Sequence, residues 1–257
     1  MALGFNAWSS EDWVAYYGRN AAEPVEIPWD RGAELTEADR SAVAASMQGF
    51  QLGESSEGRH LIDRARAWSI QNDDPAYPDA IRLFIGEEGR HARDLGRFLD
   101  LNGIPRIEKA FSDSAFRHLR RAAGLEVSIA VLVTAEVIAQ VYYAALRDAT
   151  QSAILKALCE RILRDEEEHV RFQAERMALL ARGRSPFRLW MRRRTQRGLM
   201  LVTLLVVWTA HRHAYQAGGY PFARYARETL RALDRALDRM DPRAYRWSEL
   251  AEAVQAL

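Results

Sequence analysis

The pattern of apolar and polar residues predicts helices through most of the chain. Apolar residues recur at helical spacing over about 37–71, 79–101, 125–148 and 151–181, and again over about 221–237. Thr36, with Asp39 three residues later, is a predicted N-cap, and Asn102-Gly103 is a predicted C-cap pair. The sequence contains no strand-like alternation and no phosphate-binding glycine loop, so the predicted fold class is all-α.

The lengths of the connections predict how these helices are arranged. Residues 104–122 form a long connection, with a short helix predicted at about 113–121, and this allows the second and third helices to run parallel. A four-helix bundle is therefore predicted over 36–181. Residues 1–35 have no sustained periodicity and are predicted to be an N-terminal arm lying on the bundle. Residues 182–257 are predicted to be a C-terminal helical extension.

One charged residue stands alone in the most apolar helix. Glu136 is the only charge in the stretch 129–146. An unpaired buried carboxylate costs several kcal/mol, so this side chain must be neutralised, paired or bound to a metal. A salt bridge to an arginine of a neighbouring helix is the alternative to a metal.

Two Glu-x-x-His motifs are each preceded by an isolated glutamate on the predicted helix before. Residues three apart project from the same face of a helix, and a carboxylate with an imidazole suits iron or manganese. Glu54 lies 34 residues before the first motif, and Glu136 lies 30 residues before the second. A third match, ending at His60, is interpreted as a chance occurrence. The two motifs are Glu88 with His91 and Glu166 with His169.

The acids that precede the two motif glutamates fit the same interpretation. A metal-bound histidine usually donates its other ring N–H to a carboxylate or a carbonyl. Asp165 could support His91 from across the bundle, and Glu87 could support His169 in the same way. The alternative is that both acids face solvent.

With these motifs, the stretch 45–180 resembles the ferritin-like di-iron carboxylate superfamily. This superfamily includes rubrerythrins, bacterioferritins, ubiquinone-pathway hydroxylases and bacterial di-iron monooxygenases. The sequence Gly53-Glu54-Ser55, followed by Gly58-Arg59, is similar to the first-helix ligand segment of rubrerythrin-like chains. The resemblance implies a four-helix bundle with a long crossover that holds two iron ions, with Mn/Fe and Mn/Mn as open alternatives. The ligands that it implies are Glu54, Glu88, His91, Glu136, Glu166 and His169, with Glu57 as the competing first-helix candidate.

Several features limit which members of that superfamily the chain resembles. Its single cysteine, Cys159, cannot supply the Cys-x-x-Cys module that rubrerythrins usually carry. The N-terminal arm and the C-terminal extension argue against a mineral-storage shell. Tyr143 and Gln140 follow Glu136 on the same helix face and are candidate catalytic residues, although Tyr143 could also be a core aromatic. Many di-iron hydroxylases have threonine where this chain has Gln140.

The leading functional expectation is an O2-dependent di-iron oxidase or monooxygenase that oxidises an apolar small molecule. The electron donor cannot be identified from the sequence. One alternative is a non-catalytic protein that handles iron or removes peroxide in the manner of rubrerythrins. Another is a helical interaction module in which the glutamates and histidines only form salt bridges.

An arginine-rich segment bears on where in the cell the protein is expected to lie. Seven arginines lie between Arg182 and Arg197, followed by an apolar run over 199–210 that is shorter than the about 20 residues needed to span a bilayer. The segment 182–210 is predicted either to lie on an anionic membrane surface or to pack as a fifth helix with its arginines in water. No signal-peptide pattern and no nucleic-acid-binding motif is evident, so the expected location is the cytoplasm, with contact to the inner face of the membrane as an option. A homodimer is a further possibility for the assembly. His211 and His213 are assigned no role in metal binding.

Overall fold

The computed structural model describes residues 4–23, 25–55, 58–108 and 124–247. Within these ranges the chain forms eight α-helices, and the only pairing of strand type is an isolated bridge between Phe5 and Tyr245. The prediction of an all-α fold class is therefore confirmed for this part of the chain. The helices are α1 (Ser10–Ala22), α2 (Glu37–Glu54), α3 (Arg59–Asn72), α4 (Tyr77–Leu101), α5 (Leu125–Asp148), α6 (Ala153–Leu180), α7 (Pro186–Ala217) and α8 (Phe222–Arg239).

Most helix boundaries follow from local capping chemistry. Thr36 and Asp39 form the predicted capping box at the start of α2. Helix α4 ends at the predicted pair, where Gly103 adopts a φ of 61°, a conformation that favours glycine. Ser152 caps α6 through a hydrogen bond that its side chain accepts from the backbone N–H of Leu155. The helices predicted at 79–101, 125–148, 151–181 and 221–237 are thus confirmed to within a few residues, whereas the short helix predicted at 113–121 lies outside the described residues.

The prediction of one continuous helix over 37–71 is wrong. Helix α2 ends at Glu54, and α3 begins at Arg59. At the end of α2, the side chain of Ser55 donates to the carbonyl of Leu52 at 2.7 Å. Gly58 then passes so close to α4 that a Cβ atom there would lie 2.2 Å from Cδ1 of Ile85. A side chain at this position would have to displace the end of Ile85, so the close approach favours glycine where the chain leaves one helix for the next.

The N-terminal arm contains a regular element that was not predicted. Helix α1 is capped by Ser9 and Asp12 in a second capping box, and it packs mainly on α4. Its buried residues Trp13 and Tyr17 are four apart and lie on the same side of the helix. The arm therefore contributes core side chains.

The helices enclose one large apolar core and a smaller one. The large core runs mainly between α5, α6, α7 and α8, and α5 makes its most extensive helix contact with α6. The smaller core lies beneath α1 and α3 and contains Trp13, Tyr17, Phe84 and Phe172. Helices α2, α4, α5 and α6 meet between these two cores.

Helix α7 packs on the rest of the structure, and several of its arginines are paired. Arg192 of α7, and Arg184 just before the helix, contact the carboxylate of Glu126 on α5, at 3.3 and 2.7 Å respectively. Arg193 and Arg197 pair with Asp238 and Asp234 of α8 at 3.0 and 2.6 Å. Acids from neighbouring helices therefore offset part of the charge of a segment whose own sequence, from 176 to 227, contains none.

Helix α5 alone, among the described helices, is long and apolar enough to cross a membrane by length and composition. Its most apolar 18-residue window is 78% buried inside the protein. The apolar character of α5 is therefore accounted for by packing in the core.

Candidate metal centre

Six carboxylate and imidazole side chains from four helices meet in the interior of the described structure. They form two groups, and within each group one ligand atom from every side chain lies within 4.8 Å of the others. Glu88 and Glu166 belong to both groups. Two donor groups that share two carboxylates suit two adjacent cations bridged by those carboxylates. The groups are Glu54, Glu88, His91 and Glu166, and Glu88, Glu136, Glu166 and His169.

Helical spacing explains why these residues converge. On α4 and on α6 the motif glutamate and histidine are three residues apart, which directs both toward the same neighbour. Helix α2 contributes its last residue, Glu54, and α5 contributes Glu136 from the middle of its apolar face. All six residues that the sequence predicted as ligands are thus brought together by the structure.

Both histidines present the Nδ1 atom to the cluster. His91 Nδ1 lies 3.8 Å from carboxylate oxygens of Glu54, Glu88 and Glu166. His169 Nδ1 lies 2.9 Å from Glu88 and 3.8 Å from Glu166. The centroids of the two imidazole rings are 5.7 Å apart. The two nitrogens therefore approach the shared carboxylates from two sides.

Several of these ligand atoms are buried without a partner. Nδ1 of His91, Nδ1 of His169, Oε1 of Glu88 and both carboxylate oxygens of Glu166 form no hydrogen bond with any described residue. Although Glu88 and His169 are close, they are not aligned for a hydrogen bond. Buried polar atoms are normally satisfied, so a concentration of unsatisfied donors and acceptors at one point has to have a physical cause. Cations bound between these atoms would satisfy them, and the residues present therefore fit a metal pair.

The other nitrogen of each histidine is bound to a carboxylate from the opposite helix. His91 Nε2 lies 2.9 Å from Asp165, and His169 Nε2 lies 3.0 Å from Glu87. The structure brings together both pairs that the sequence predicted. Arg90 Nη2 contacts both acids, at 2.8 Å from Glu87 and 3.4 Å from Asp165, and so links the two supporting interactions.

Burial and crowding shift the pKa of the acidic ligands upward. Burial raises the pKa of Glu166 to about 7, and the nearby charge of Glu88 contributes to this rise. Burial, together with neighbouring Glu166, raises the pKa of Glu136 well above its usual range. Burial and the charge of Glu88 also raise the pKa of Glu54. The cluster therefore favours protons or other cations that neutralise these carboxylates.

The pKa values of both histidines are raised, and the pKa of the supporting acid Asp165 is lowered. Burial alone lowers the pKa of His91, but the hydrogen bond with Asp165 and the nearby carboxylate of Glu54 outweigh it and raise this pKa to about 9. The pKa of His169 is also raised, because the nearby carboxylate of Glu166 and the hydrogen bond with Glu87 outweigh its burial. Conversely, burial is outweighed at Asp165 by its bond to His91, and the pKa of that acid is lowered. In the absence of metal, the histidines therefore hold protons that a metal ion must displace.

The two predicted catalytic residues lie beside the cluster. Tyr143 is fully buried, and its hydroxyl donates to Oε1 of Glu54 at 2.6 Å. The side-chain amide of Gln140 donates to the backbone carbonyl of Glu166 at 3.1 Å, which ties α5 to α6 next to a ligand. Tyr143 therefore contacts a ligand side chain, whereas Gln140 holds the backbone that carries one.

Sequence reasoning missed three features around His169. The ring of Phe84 lies 4.7 Å from the His169 ring, and the ring of Tyr17 lies 6.1 Å from it. Gln173, one helical turn beyond His169, is fully buried, and neither atom of its amide has a hydrogen-bonding partner among the described residues. Tyr17 belongs to the overlooked helix α1, and the capping sequence from Ser9 to Asp12 was the signal that could have revealed it.

The other histidines of the described ranges lie away from the cluster. His60, from the motif that was interpreted as a chance match, is exposed on α3. His211 lies between α2 and α7, with Nδ1 2.9 Å from the hydroxyl of Ser46, and His213 is exposed. Glu57 lies outside the described residues, so the structure gives a position only to its competitor, Glu54.

Comparisons with known proteins identify no relative of this chain. No family model, no curated protein and no solved structure matches the chain. The all-helical fold and the buried Glu/His cluster are compatible with a ferritin-like fold.

Proposed function

We propose that this protein is a ferritin-like di-iron carboxylate oxidoreductase that uses O2 to oxidise an apolar small molecule. The observation that carries the proposal is the buried cluster of six ligands with unsatisfied atoms, supported from outside by two crossed histidine–carboxylate pairs. Except for the 2.9 Å approach of His169 to Glu88, the histidine Nδ1 atoms lie 3.8 Å from the carboxylates of the cluster, which is too long for hydrogen bonds. The interaction-module alternative therefore has less support.

The donor set divides naturally between two ions. Glu54 and His91 would hold one ion, and Glu136 and His169 would hold the other, while Glu88 and Glu166 would be shared. When bound, a ferrous pair supplies two electrons at one place for the reduction of O2. The same oxygen and nitrogen donors accept Mn/Fe and Mn/Mn pairs, so the identity of the metals rests on analysis of the purified protein.

The surrounding residues orient the ligands. Asp165 and Glu87 each accept the Nε2–H of one histidine, which keeps the Nδ1 lone pair directed at the cluster. The hydroxyl of Tyr143 binds Oε1 of Glu54 and leaves the other carboxylate oxygen facing His91. These contacts fix the orientation of the imidazoles and the rotation of a carboxylate before any ion binds, and they select the Nε2–H tautomer once Nδ1 gives up its proton.

The character of the substrate follows from the environment of the cluster. Phe84 and Tyr17 pack against the ring of His169, with Phe172 beside both, and exclude water on that side. Glu88 is the most exposed of the six ligands, with a side chain that is 18% exposed. An apolar molecule approaching at Glu88 is therefore proposed.

The proposal is tested by metal content and by a single turnover with O2. Protein expressed with ample iron should contain about two metal ions per chain, and anaerobic titration with ferrous iron should saturate at the same ratio. Exposure to O2 should then produce the charge-transfer absorption of a ferric carboxylate centre. Glu136→Gln should lose this absorption, whereas His213→Ala, which removes an exposed histidine, should keep it.

Two other outcomes would support a different function or overturn the proposed metal centre. Rapid oxidation of ferrous iron over many turnovers without an organic substrate, or assembly into a shell, would favour iron handling or peroxide removal. Only a trace of metal after iron-replete expression would overturn the proposal of a metal centre.

A further inference from the structure

We infer that aromatic side chains of the N-terminal arm form a path for single electrons between the metal centre and the protein surface. The inference rests on the proposed function, because that function needs an external electron donor. The path comprises Trp8, Trp13 and Tyr17, and it ends at His169.

The rings of these residues are in near-continuous contact. Tyr17 lies 6.1 Å from His169, Trp13 lies 5.7 Å from Tyr17, and Trp8 lies 4.7 Å from Trp13, all measured between ring centroids. Trp13 and Tyr17 are each only 1% exposed, whereas Trp8 is partly exposed. Tryptophan and tyrosine are among the side chains most easily oxidised by one electron. Short gaps between such rings allow an electron to move in several short steps from the surface to the ligand His169.

A proton acceptor stands beside the middle of the path. The indole N–H of Trp13 donates to Oε2 of Glu175 at 3.0 Å. Burial raises the pKa of Glu175 despite the nearby guanidinium of Arg171, so this carboxylate is a better base than an exposed one. When Trp13 loses an electron, its acidified N–H can pass the proton to Glu175, and the proton returns when Trp13 is reduced again. Trp13 can therefore be oxidised without a lasting buried charge.

The cation that faces the two tryptophan rings is balanced by nearby carboxylates. The guanidinium of Arg171 lies 4.0 Å from the centroid of the Trp8 ring and 5.3 Å from that of the Trp13 ring, and a cation there opposes oxidation. Arg171 is itself paired with Glu175 at 3.0 Å and with Glu168 at 3.3 Å. These carboxylates offset the cation, so the rings remain oxidisable.

Tyr17 differs from Trp13 in having no proton acceptor among the described residues. Its hydroxyl is buried and forms no hydrogen bond with any of them. A phenol that cannot lose its proton is a poor site for a lasting radical, but its ring can still bridge between its neighbours. We therefore expect a trapped oxidising equivalent to reside on Trp13 and to cross Tyr17 only in passing.

The electron balance is simple. Once the centre has been oxidised by O2, the rings pass one electron to it, and a one-electron donor at Trp8, such as a small redox protein or a reduced mediator, loses one electron to replace it. The proton that Trp13 gives to Glu175 returns, so no net proton moves along the path. Each transfer therefore delivers one electron to the oxidised centre.

The test creates an oxidising equivalent at the outer end of the path and follows its fate. A ruthenium photosensitiser is attached through Glu11→Cys, an exposed position on α1, and the only natural cysteine, Cys159, is fully buried and stays unlabelled. In metal-free protein, a laser flash with a quencher should give the transient absorption of a neutral tryptophan radical. In ferrous-loaded protein this radical should decay faster by about tenfold or more.

Variants distinguish transfer along the path from direct reaction between the photosensitiser and the iron. Tyr17→Leu removes the bridging ring but keeps an apolar side chain, and it should abolish the acceleration caused by ferrous iron while keeping the radical. Tyr17→Phe, which keeps the ring and removes only a hydroxyl without a described partner, should retain most of the acceleration. Trp13→Phe should reduce the yield of the radical strongly. Trp190→Phe, at an exposed tryptophan on α7, is the matched control and should behave like the parent protein.

The two proposals can fail independently. If the radical decays equally fast in Tyr17→Leu and in the parent protein with ferrous iron bound, the path is wrong although the centre is real. If the radical yield is unchanged in Trp13→Phe, the inferred site of the radical is wrong and the path with it. If no iron binds, metal analysis reports that separately, and the path to the centre fails with the proposed function.

Discussion

At the scale of single residues, the supporting acids determine which nitrogen of each histidine can bind an ion. Asp165 and Glu87 each engage an Nε2 atom, so their removal should matter although neither lies in the ligand groups. Their identity as carboxylates also makes the imidazoles more basic, and thus better donors.

We predict that Asp165→Asn lowers the affinity for ferrous iron by about ten- to a hundredfold, the usual cost of changing such a partner. Because Asp165 supports only His91, one ion per chain should be affected and the other should bind almost as before. Glu87→Gln should weaken the other ion. Glu167→Gln, an exposed neighbour on the same helix, is the control, and anaerobic titration followed by absorption measures all three variants. Equal affinities for Asp165→Asn and Glu167→Gln would contradict the role of Asp165.

A functional residue can be predicted from the sequence when its chemistry conflicts with its surroundings. Glu136 was identifiable because a lone charge in an apolar helix must be neutralised, and the structure buries it in the cluster. Tyr17, Arg90 and Gln173 carry no such signal, because buried tyrosines, surface arginines and core amides are common. Their proximity to His169 and its supporting acid depends on how the helices pack, which local spacing does not determine.

At the scale of elements, capping predicts helix ends well, and contacts between helices explain the exceptions. After the break that follows Glu54, Gly58 lies against Ile85 of α4, a contact between residues far apart in sequence. The start of α6 likewise depends on a distant residue. Glu34, in the N-terminal arm, accepts hydrogen bonds from the hydroxyl of Ser152 and from the backbone N–H of Ile154, at 2.7 and 3.0 Å.

We predict that Glu34→Gln destabilises the metal-free protein by about 1 kcal/mol at neutral pH, the usual cost of losing a cap at a helix N-terminus. In Glu34, burial is outweighed by hydrogen bonds from Ser152 and Arg31, and the pKa falls to about 2. Because this folded-state pKa lies below the ordinary value of 4.5, the stabilisation is complete above about pH 4.5 and is lost as the pH falls toward 2.

The measurement is the Tm of parent and variant across that pH range. At neutral pH the Tm should fall by about 2–4 °C, and the difference should shrink below pH 4.5. Glu26→Gln, at an exposed acid of the same arm, should show no such difference. A difference between Glu34→Gln and the parent that is constant with pH would contradict the cap.

At the scale of the whole molecule, one face of α7 remains uncovered by the described residues. Its exposed apolar residues recur at helical spacing over about 30 Å of helix. The charge on this face is positive, because the exposed Arg188 lies at its edge, the exposed Arg194 lies between its two groups of apolar residues, and α7 itself contains no acid. Exposed patches of this kind mark sites of contact. The residues are Phe187, Trp190, Met191, Leu201, Val202, Leu205 and Val206.

We predict that this face lies on an anionic membrane surface, with α7 parallel to the bilayer. Aromatic and aliphatic side chains on one side, with arginines at the edge, suit the boundary between headgroups and acyl chains. Vesicles that contain acidic phospholipid should sediment the protein, and high salt should weaken the binding. Leu201→Ser combined with Leu205→Ser should reduce binding strongly, because both side chains are at least half exposed and contribute little to folding.

The control is Ile70→Ser, which removes an apolar side chain that is 84% exposed on α3, far in sequence from the face of α7. Loss of binding in this control would mean that general hydrophobicity, and not α7, drives sedimentation. Equal binding to neutral and acidic vesicles would remove the role of the arginines. A dimer of the parent protein that dissociates in the Leu201/Leu205 variant, without binding to any vesicle, would assign the face to a second copy of the chain. If the prediction holds, the apolar substrate proposed for the metal centre would be available in the membrane on which the protein lies.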